Sequence, residues 1–382
     1  MVTSGIGGEV ITYSRMSKWL SDNTDYDIYW ADIPEGASFS YIKKRNHNNI
    51  KQIYLNVIKN EKGILTEITD TVFPDNCTVF TNGFFLLSNS VLKHIKGQNI
   101  RFLFYFVEPH TYLDQLQNKS LLSKIIKKIT LRKKLKIANA NNALIYQDYP
   151  NFRNITNYCS KLDKRYLPIP IYHKQARQTW KLSPDNIHFC YIGRNCKTKN
   201  KTLYFFAQQL ENYTKKYNNL SVSLNIVSNI EKTDKIYIKL KQHFPNLKII
   251  LQNTLYEKNL EKFLAENIDI VLGMGVSCLE ATKIGLPAIS APASLHKIPL
   301  KTKVGTICDF KDFALGGYLN EDNGLHNGRL FSNLLDDIRQ NYNKYAMTNY
   351  TFTQKHFDIN TIMHDFLKYI DKTSFEHKDL GN

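Results

Sequence analysis

Closely spaced cysteines are missing from this sequence. Its six cysteines, at positions 77, 159, 190, 196, 278 and 308, include no C-x-x-C pair, and most stand in apolar contexts. Zinc clusters and small disulfide frameworks depend on such spacings. We therefore expect neither, and interpret the cysteines as buried, reduced thiols of a cytosolic protein.

Long apolar runs are also absent. No stretch reaches about 18 apolar residues, the length that a membrane-spanning helix requires. The first residues, Met1-Val-Thr-Ser-Gly-Ile-Gly-Gly8, lack the basic and apolar segments of a secretory signal, so we expect no signal peptide. With 17 glycines and 11 prolines in 382 residues, the chain is neither collagen-like nor proline-rich.

Acidic residues are scarce relative to basic ones. The chain has 34 Asp and Glu residues against 51 Lys and Arg residues, which gives a formal net charge of +17. Such an excess implies a negatively charged partner: nucleic acid, an anionic membrane surface or a phosphorylated ligand. Hydrophobic residues make up 42% of the chain, enough for packed cores, and its length indicates two domains or three.

Short apolar runs alternate with helical patterns along the whole chain. Several runs are apolar at every position, as in Phe102–Val107, which is typical of strands buried on both faces of a parallel sheet. The pattern predicts an α/β architecture. A polar stretch at residues 172–186 marks the domain boundary, with one doubly wound sheet on each side. We predict strands at residues 78–81, 101–107, 143–146, 166–169, 187–192, 221–227, 247–251, 268–272 and 288–290.

Residues 266–290 carry the richest candidate site. They read as a buried strand, a loop with Gly273 and Gly275, a helix opened by Val276-Ser277, and a Gly-Leu-Pro turn into another strand. The free N–H groups and the dipole at the start of a helix suit an anion such as a diphosphate. Glu280, one turn into that helix, would then reach sugar hydroxyls; the alternative is an acid that the helix dipole merely favours.

The end of the strand at residues 187–192 is a second candidate. Gly193-Arg194 follows that strand, and Lys197, Lys199 and Lys201 come next in what we expect to be a loop. Open α/β sheets bind ligands at the carboxyl ends of their strands. Arg194 and one of the lysines would neutralise a diphosphate leaving group; the alternative is a solvated basic turn.

Two weaker candidates lie in the first half of the chain. The glycines of Gly5-Ile-Gly7-Gly8 precede a helical pattern and would form a flat backbone wall against a sugar or phosphate. Glu108 and His110 follow the strand at residues 101–107, where either side chain would handle a proton. A turn with a surface histidine explains the second pattern equally well.

A basic stretch at residues 121–137 contains no acid. Leu122, Ile125, Ile126 and Ile129 share one helical face, with lysines roughly opposite. Basic amphipathic helices lie on anionic membranes. A solvated helix packed by its isoleucines and a nucleic-acid patch are the alternatives, although no RNP, zinc-finger or heptad pattern occurs. The cations that we predict to face a membrane are Lys124, Lys127, Lys128, Arg132, Lys133 and Lys134.

Taken in order, these sites resemble those of bacterial glycosyltransferases of the GT-B fold, especially the large retaining group with an E-x7-E motif. The resemblance covers most of the chain and is strongest from about Ile187 to Ser290. Residues 280–287 are similar to the E-A-x-x-x-G-x-P signature, whose glutamate, here Glu280, bonds the donor ribose. Arg194 with Lys199 or Lys201 resembles the diphosphate-binding pair.

Other segments extend the resemblance, and one departs from it. Residues 251–256, with Leu255, resemble the loop that holds the nucleobase, residues 165–170 resemble the strand that closes the first domain, and His110 is near a histidine that faces the transferred sugar in the family. Leu272, however, occupies the position of the first glutamate of E-x7-E, and Gly273-Met-Gly-Val-Ser277 replaces the usual E-G-F-G.

The resemblance implies two Rossmann-like, doubly wound domains that face an interdomain cleft. Residues 1–175 would bind the acceptor, residues 186–350 the nucleotide-sugar, and residues 351–382 would form a C-terminal helix able to cross back to the first domain. Arg194 and a lysine would carry the leaving-group charge, so the implied chemistry needs no metal or cofactor. No D-x-D pattern stands in a suitable loop.

The implied activity is transfer of a sugar from a nucleotide diphosphate donor, UDP-linked among other candidates, to a hydroxyl of a membrane-associated glycan or lipid-linked acceptor. Such an enzyme would belong to polysaccharide or lipopolysaccharide synthesis, at the cytoplasmic face of the inner membrane, with no nucleic-acid partner. Two alternatives stay open: a nucleotide-sugar 2-epimerase of the same fold, and a non-enzymatic basic protein that binds RNA or membrane.

Overall fold

The computed structural model describes residues 8–32, 41, 50–59, 65–83, 92–107, 121–176, 182–217, 219–252 and 254–380. The helices are α1 Gly8–Asn23, α2 Leu121–Ala140, α3 Tyr149–Thr156, α4 Lys197–Lys216, α5 Lys235–His243, α6 Glu257–Asn267, α7 Val276–Thr282, α8 Phe331–Gln340, α9 Tyr342–His356 and α10 Ile359–Lys372. Short 3-10 turns cover Ile307–Asp309 and His377–Leu380.

Fifteen strands lie within these described ranges. They are β1 Ile28–Asp32, β2 Ile50–Tyr54, β3 Val57–Lys59, β4 Leu65–Ile68, β5 Thr71–Val72, β6 Thr78–Asn82, β7 Ile95–Lys96, β8 Arg101–Phe106, β9 Leu144–Tyr146, β10 Asn186–Ile192, β11 Ser221–Val227, β12 Lys248–Gln252, β13 Ile270–Gly273, β14 Ala288–Ser290 and β15 Gly305–Thr306.

The chain divides into two compact units. Met1–Pro170 together with Ile359–Asn382 forms the first unit, and Ile171–Asp358 forms the second. The division at Pro170 lies a few residues before the predicted end at 175, and the returning segment starts at Ile359 rather than at 351.

The second unit is built on a six-stranded sheet in the order β12-β11-β10-β13-β14-β15. The first five strands are parallel, and β15 pairs antiparallel with β14. The chain runs outward from β10 to β12 and then returns to place β13 on the other side of β10. This reversal is the topological switch point of a doubly wound sheet, where the carboxyl ends of two adjacent strands open away from each other.

Burial explains why these segments form the interior of the sheet. Every residue of β13 and β14 is buried, and β11 is buried beyond its first residue, because helices cover both faces of a parallel sheet. The edge strand β12 is only partly buried. The core joins Phe189 and Leu224 of the sheet to Leu203 and Phe206 of α4 and Leu334 of α8. The apolar runs of the sequence therefore predicted β10 to β14 to within two residues, whereas β15 was not predicted.

In the first unit, the described part of the main sheet has three parallel strands in the order β6-β8-β9. The strands β1 and β2, which precede it in the chain, pair in parallel and form a separate two-stranded sheet. The predicted strand at residues 166–169 is reduced to a single bridge between Tyr146 and Tyr166. The core of this unit packs Phe102 and Phe104 of β8 against Leu131 and Leu135 of α2.

The end of the chain completes the first unit. In α10, Ile362, Met363 and Phe366 are buried, and the ring of Phe366 lies 4.7 Å from that of Phe80 in β6. Beyond α10, the N–H of Phe102 donates to the carbonyl of Phe375 at 2.9 Å. Phe375 is buried in the same core as β8, so the polar tail is anchored by one aromatic residue.

Candidate functional site

The two glycine loops predicted as ligand sites meet at the switch point of the second unit. The register pairs Tyr191 of β10 with Leu272 of β13, so both strands end at the same level of the sheet. The Ser277 hydroxyl then donates to the carbonyl of Ile192 at 3.0 Å. This hydrogen bond ties the start of α7 to the end of β10 and makes one surface of the two loops.

Gly193 permits the tight exit of the chain from β10. A Cβ added there would lie 2.7 Å from the hydroxyl oxygen of Tyr191 and 2.9 Å from its ring. Tyr191 has little freedom to yield, because its side chain is buried and its hydroxyl donates to the carbonyl of Lys199 at 2.9 Å. Only glycine fits, and the Tyr191 bond fixes the first turn of α4 against the strand.

The turn that carries Arg194 is held by its neighbour Asn195. The Asn195 N–H donates to Asn229 Oδ1 at 2.7 Å, its side-chain amide donates to Asp234 at 2.9 Å, and its side-chain oxygen accepts from Asn200 at 2.8 Å. Arg194 itself is exposed. The loop is therefore rigid while its guanidinium is presented to solvent, an arrangement that suits a charged ligand.

The three lysines after Arg194 lie at the start of a helix and not in a loop. Lys197, Lys199 and Lys201 occupy the first turns of α4, so the loop prediction was wrong. The thiol of the N-cap residue Cys196 lies 3.6 Å from the Thr198 hydroxyl and caps no backbone N–H of the helix, and the first turn has no acid. Cations here oppose the helix dipole by about 0.3–1 kcal/mol each. A bound anion would offset the repulsion between the cations and the helix dipole, and it would accept hydrogen bonds from the uncapped N–H groups.

Lys199 also reaches toward the second loop. Burial raises the pKa of the Cys278 thiol in α7 to about 12, and the positive charge of Lys199 opposes that rise. The ammonium therefore lies within electrostatic range of α7. Arg194 and Lys199 follow β10, and the Gly275 turn follows β13, so all three belong to the same edge of the sheet.

Gly275 precedes α7 with φ 62° and ψ −134°, backbone angles that an L-residue rarely adopts. Its N–H donates to the carbonyl of Leu315 at 3.0 Å, which also accepts from the Ser290 hydroxyl at 2.9 Å. The helix begins at Val276-Ser277 as predicted but is only seven residues long. The role of its N–H groups in anion binding stays a prediction.

Glu280 is buried and already paired. Its side chain is 7% exposed, and Oε2 accepts from the Lys283 ammonium at 2.6 Å. Lys283 also lies 3.5 Å from Glu261 of α6, whose other oxygen is 3.4 Å from Lys174. The carboxylate is thus part of a chain of alternating charges. Sequence reasoning proposed Glu280 as a sugar ligand and missed Lys283, which stands one helical turn later on the same face.

The predicted nucleobase loop follows β12 at the edge of the sheet. Leu255 is half-buried there, and the Thr254 hydroxyl donates to the carbonyl of Ser228 at 3.1 Å. This bond holds the loop to the end of β11, at the same carboxyl edge as Arg194. Contact of Leu255 with a base stays a prediction.

The carboxyl edge of the first unit is described only in part. Gly8 starts α1, and its carbonyl accepts from the Thr12 hydroxyl at 2.8 Å. Glu9 accepts a hydrogen bond from Asn82 at the end of β6, at 2.9 Å. This acid–amide pair was missed, although Glu9 directly follows the glycines. Three predicted residues, Gly7, Glu108 and His110, lie outside the described residues.

Helix α2 presents a face that differs from the predicted one. Leu131, Leu135 and Ala138 are buried, whereas Ile125, Ile126 and Ile129 are 47%, 54% and 65% exposed. Isoleucines and cations therefore share the outward face. Among the predicted membrane cations, Lys128, Arg132 and Lys133 are exposed, and Lys127 is half-buried. Lys124 belongs to α2, but its side chain lies outside the described residues.

Lys134 contradicts its predicted orientation toward a membrane. It is only 8% exposed, one turn after Leu131 on the packed face of α2, and burial lowers the pKa of its ammonium. The sequence suggested an outward position because Lys134 continues a run of cations. Its place in the helical repeat, between Leu131 and Leu135, puts it on the inner face instead.

Two further properties concern the described part of the chain. Within it, no three His, Cys, Asp or Glu side chains come together as a metal ion would require. Among the described helices, none combines the length and the apolar character needed to cross a bilayer.

Comparison with known proteins was informative for structure alone. No protein-family profile matches the chain, and no curated protein matches it. A mutant of S. aureus TarM in complex with Fondaparinux, alpha-GlcNAc-glycerol and UDP has a TM-score of 0.52 and 15% identity, and the match covers 82% of this chain and 66% of that one. A second TarM structure has a TM-score of 0.50 and 15% identity, and the match covers 85% of this chain and 67% of that one. TarM is a GT-B glycosyltransferase.

The fold is GT-B. The prediction of that fold is confirmed, and at 15% identity the likeness to TarM shows the fold and not the substrate. The chain spans about two thirds of the length of the TarM chains. WaaG, a glycosyltransferase involved in lipopolysaccharide biosynthesis, matches over 96% of both chains at 11% identity, with a TM-score of 0.49.

Proposed function

We propose that this GT-B protein is a glycosyltransferase that moves a sugar from a nucleotide diphosphate donor to a hydroxyl of a glycan acceptor. One observation carries the proposal: Arg194, the lysine-rich start of α4 and the Gly275 turn occupy the same switch point, coupled by the bond from Ser277 to Ile192. A doubly wound sheet binds its ligand at this place, and the cations match a diphosphate.

The chemistry follows from charge placement. A nucleotide diphosphate gains negative charge as the bond to the sugar breaks, and fixed cations stabilise that charge without having to reorganise. Arg194 can engage two phosphate oxygens at once through its planar guanidinium, while Lys199 adds a point charge from the first turn of α4. These two residues would act as the leaving-group stabilisers.

Glu280 would bind the sugar part of the nucleotide through its carboxylate. The Lys283 ammonium, 2.6 Å away, orients that carboxylate. An ionised carboxylate accepts hydrogen bonds from two neighbouring hydroxyls, as a ribose offers. In this proposal Lys283 is a positioning residue. The acceptor would bind the first unit, where Glu9 and Asn82 supply hydrogen-bonding groups for hydroxyls.

A donor screen tests the proposal. Thermal unfolding is measured with UDP-, GDP-, CMP- and dTDP-sugars, and UDP is the first nucleotide to try because the similar TarM structure contains it. One nucleotide should stabilise the protein selectively. Arg194→Ala should weaken its binding by about 10–100-fold, since a hydrogen bond to a charged group contributes about 1.5–3 kcal/mol. Lys241→Ala, an exposed site in α5, is the matched control.

Turnover then separates the reaction classes. With a glycan acceptor, the protein should release nucleotide diphosphate and transfer the sugar, and without one it should do so only slowly. Conversion of the donor into an epimer without acceptor would contradict transfer and favour an epimerase. Equal stabilisation by all nucleotides, or full binding by Arg194→Ala, would overturn the site itself.

A further inference from the structure

Helix α2 has three exposed isoleucines outside the described hydrophobic core of the first unit. Its packed stripe, Leu131, Leu135 and Ala138, contributes to the core of the first unit with β8 and β9. Ile125, Ile126 and Ile129 point away from that stripe and are about half exposed or more. Since exposed isoleucines add nothing to the stability of the packed side, this face requires another explanation.

The cations of the same helix lie on the same outward face. Arg132 and Lys136 follow Ile125 and Ile129 at intervals of three or four residues, so the four side chains form one ridge. Lys133 follows Ile126 at seven residues on the neighbouring ridge. All three cations are exposed. The outward face therefore combines the three isoleucines with Arg132, Lys133 and Lys136, and Lys128 is exposed beside them.

No negative charge interrupts this surface. Residues 121–140 include no Asp or Glu, although acids are otherwise spread along the chain. A protein partner or a solvated helix would tolerate acids here. A bilayer with anionic headgroups would not, because each acid would be repelled while apolar side chains enter the acyl boundary and cations pair with phosphates.

We propose that the outward face of α2, composed of Ile125, Ile126, Ile129, Arg132, Lys133 and Lys136, docks this protein on an anionic lipid bilayer. The isoleucines enter the boundary between headgroups and acyl chains, and the cations lie along the phosphates. The helix rests in the plane of the interface and does not cross it. This inference stands on α2 alone and is independent of the donor site, though it fits an acceptor held at a membrane.

Because the residues on the outward face of α2 are exposed, they can be substituted to test vesicle binding specifically. Binding is measured by flotation of the full chain with vesicles of one third phosphatidylglycerol and two thirds phosphatidylcholine, at moderate salt. Each cation near an anionic surface strengthens binding by about fivefold. The triple variant Arg132→Gln, Lys133→Gln, Lys136→Gln should therefore bind roughly 100-fold more weakly, and Ile125→Ser with Ile126→Ser and Ile129→Ser about tenfold or more.

Matched controls lie in the second unit. Lys241→Gln, Lys248→Gln and Lys344→Gln remove the same charge from exposed positions, and Ile238→Ser with Met347→Ser removes exposed apolar groups. Both controls should bind vesicles within twofold of the original protein. A loss in the charge control as large as in the α2 variant would overturn the proposal, because it would reduce binding to net charge.

The depth to which α2 enters the bilayer can be measured directly by tryptophan fluorescence. A tryptophan placed by Ile129→Trp should gain fluorescence and be quenched by lipids brominated on the acyl chain, whereas Ile238→Trp in α5 should not. The proposal is overturned if neither tryptophan responds, or if the protein ignores anionic vesicles. It is equally overturned if the α2 cations prove necessary for RNA binding with steep salt dependence and not for vesicle binding.

Discussion

Two helices of this protein, α4 and α2, have the same length of 20 residues and similar numbers of cations, yet their surroundings differ. In α4 three of the five lysines lie in the first turns, beside Arg194 and two glycine loops at the edge of a parallel sheet. In α2 the seven cations are spread along the helix, and Arg132, Lys133 and Lys136 share the outward face with three exposed isoleucines. The neighbours of a charge, more than the charge itself, indicate its ligand.

The two helices suit different ligands for different physical reasons. The uncapped start of α4 concentrates positive charge and N–H groups on a spot the size of a phosphate. The face of α2 spreads its charge along several turns and combines it with apolar area, which a small anion cannot use and a lipid surface can. We therefore assign a diphosphate to α4 and a bilayer to α2 as proposals that experiments can separate.

The largest expected effect is a crossed loss of function. Arg194→Gln with Lys199→Gln and Lys201→Gln should weaken nucleotide diphosphate binding by roughly 1000-fold, since each charged contact contributes about 1.5 kcal/mol or more. Vesicle binding by this variant should stay within twofold. The α2 charge variant should show the reverse, as measured by calorimetry and flotation. If either variant lost both activities together, the distinction between the helices would collapse.

A buried cation should behave unlike either exposed group. Lys283→Met removes the ammonium that pairs with the buried Glu280, and breaking one side of a buried pair costs about 3–5 kcal/mol in the free energy of unfolding. Glu261, at 3.5 Å from the same ammonium, loses its neighbour as well. Denaturant titration measures the loss. The double variant Glu280→Gln, Lys283→Met should lose less than the sum of the losses of Glu280→Gln and Lys283→Met; a loss equal to that sum would show that the pair is not energetically coupled.

A single added methyl group at Gly193 should destabilise the loop that carries Arg194. Gly193→Ala places a Cβ within 2.9 Å of the buried Tyr191 ring and should lower the free energy of unfolding by about 1–3 kcal/mol. Nucleotide affinity should also fall, because Tyr191 orients the first turn of α4 through the Lys199 carbonyl. In a Tyr191→Phe background, which removes the nearest atom, the same substitution should cost less. A harmless Gly193→Ala would argue against a rigid loop.

The smallest effect distinguishes two adjacent lysines of α2. Lys133→Gln should weaken vesicle binding by about fivefold, whereas Lys134→Gln should leave it unchanged, because Lys134 is buried on the inner face. Burial lowers the pKa of Lys134, so the folded state binds that proton less tightly than the unfolded state does. Its contribution to stability therefore rises with pH as the ammonium is neutralised. Equal flotation losses for the two variants would contradict the orientation of α2.

Sequence patterns predicted the sheet of the second unit well. Strands buried on both faces, such as Phe189–Ile192 and Ile270–Gly273, leave continuous apolar runs that need no tertiary information to detect. The same holds for the glycine loops, since loops at the carboxyl ends of parallel strands meet wherever the strands are neighbours. The meeting of Gly193 and Gly273 followed from that rule.

Other features depended on packing that no local pattern contains. We predicted Lys199 and Lys201 as loop residues because they follow the end of a strand, whereas they lie in the first turns of α4, where cations are unfavourable. The outward orientation of Ile125 and Ile129 departs from the usual burial of isoleucine and argues against the alternative of a helix packed by its isoleucines. Both departures from local preference fall on the surfaces to which we assign ligands, as expected where function competes with stability.

The most direct test of the central claim is calorimetric comparison of UDP with uridine, on the original protein and on Arg194→Gln. We expect UDP to bind at least about 100-fold more tightly than uridine, because two phosphates engage Arg194 and the start of α4, and Arg194→Gln should remove most of this difference. Equal affinity for UDP and uridine, or a difference that survives Arg194→Gln, would contradict a diphosphate site at the switch point.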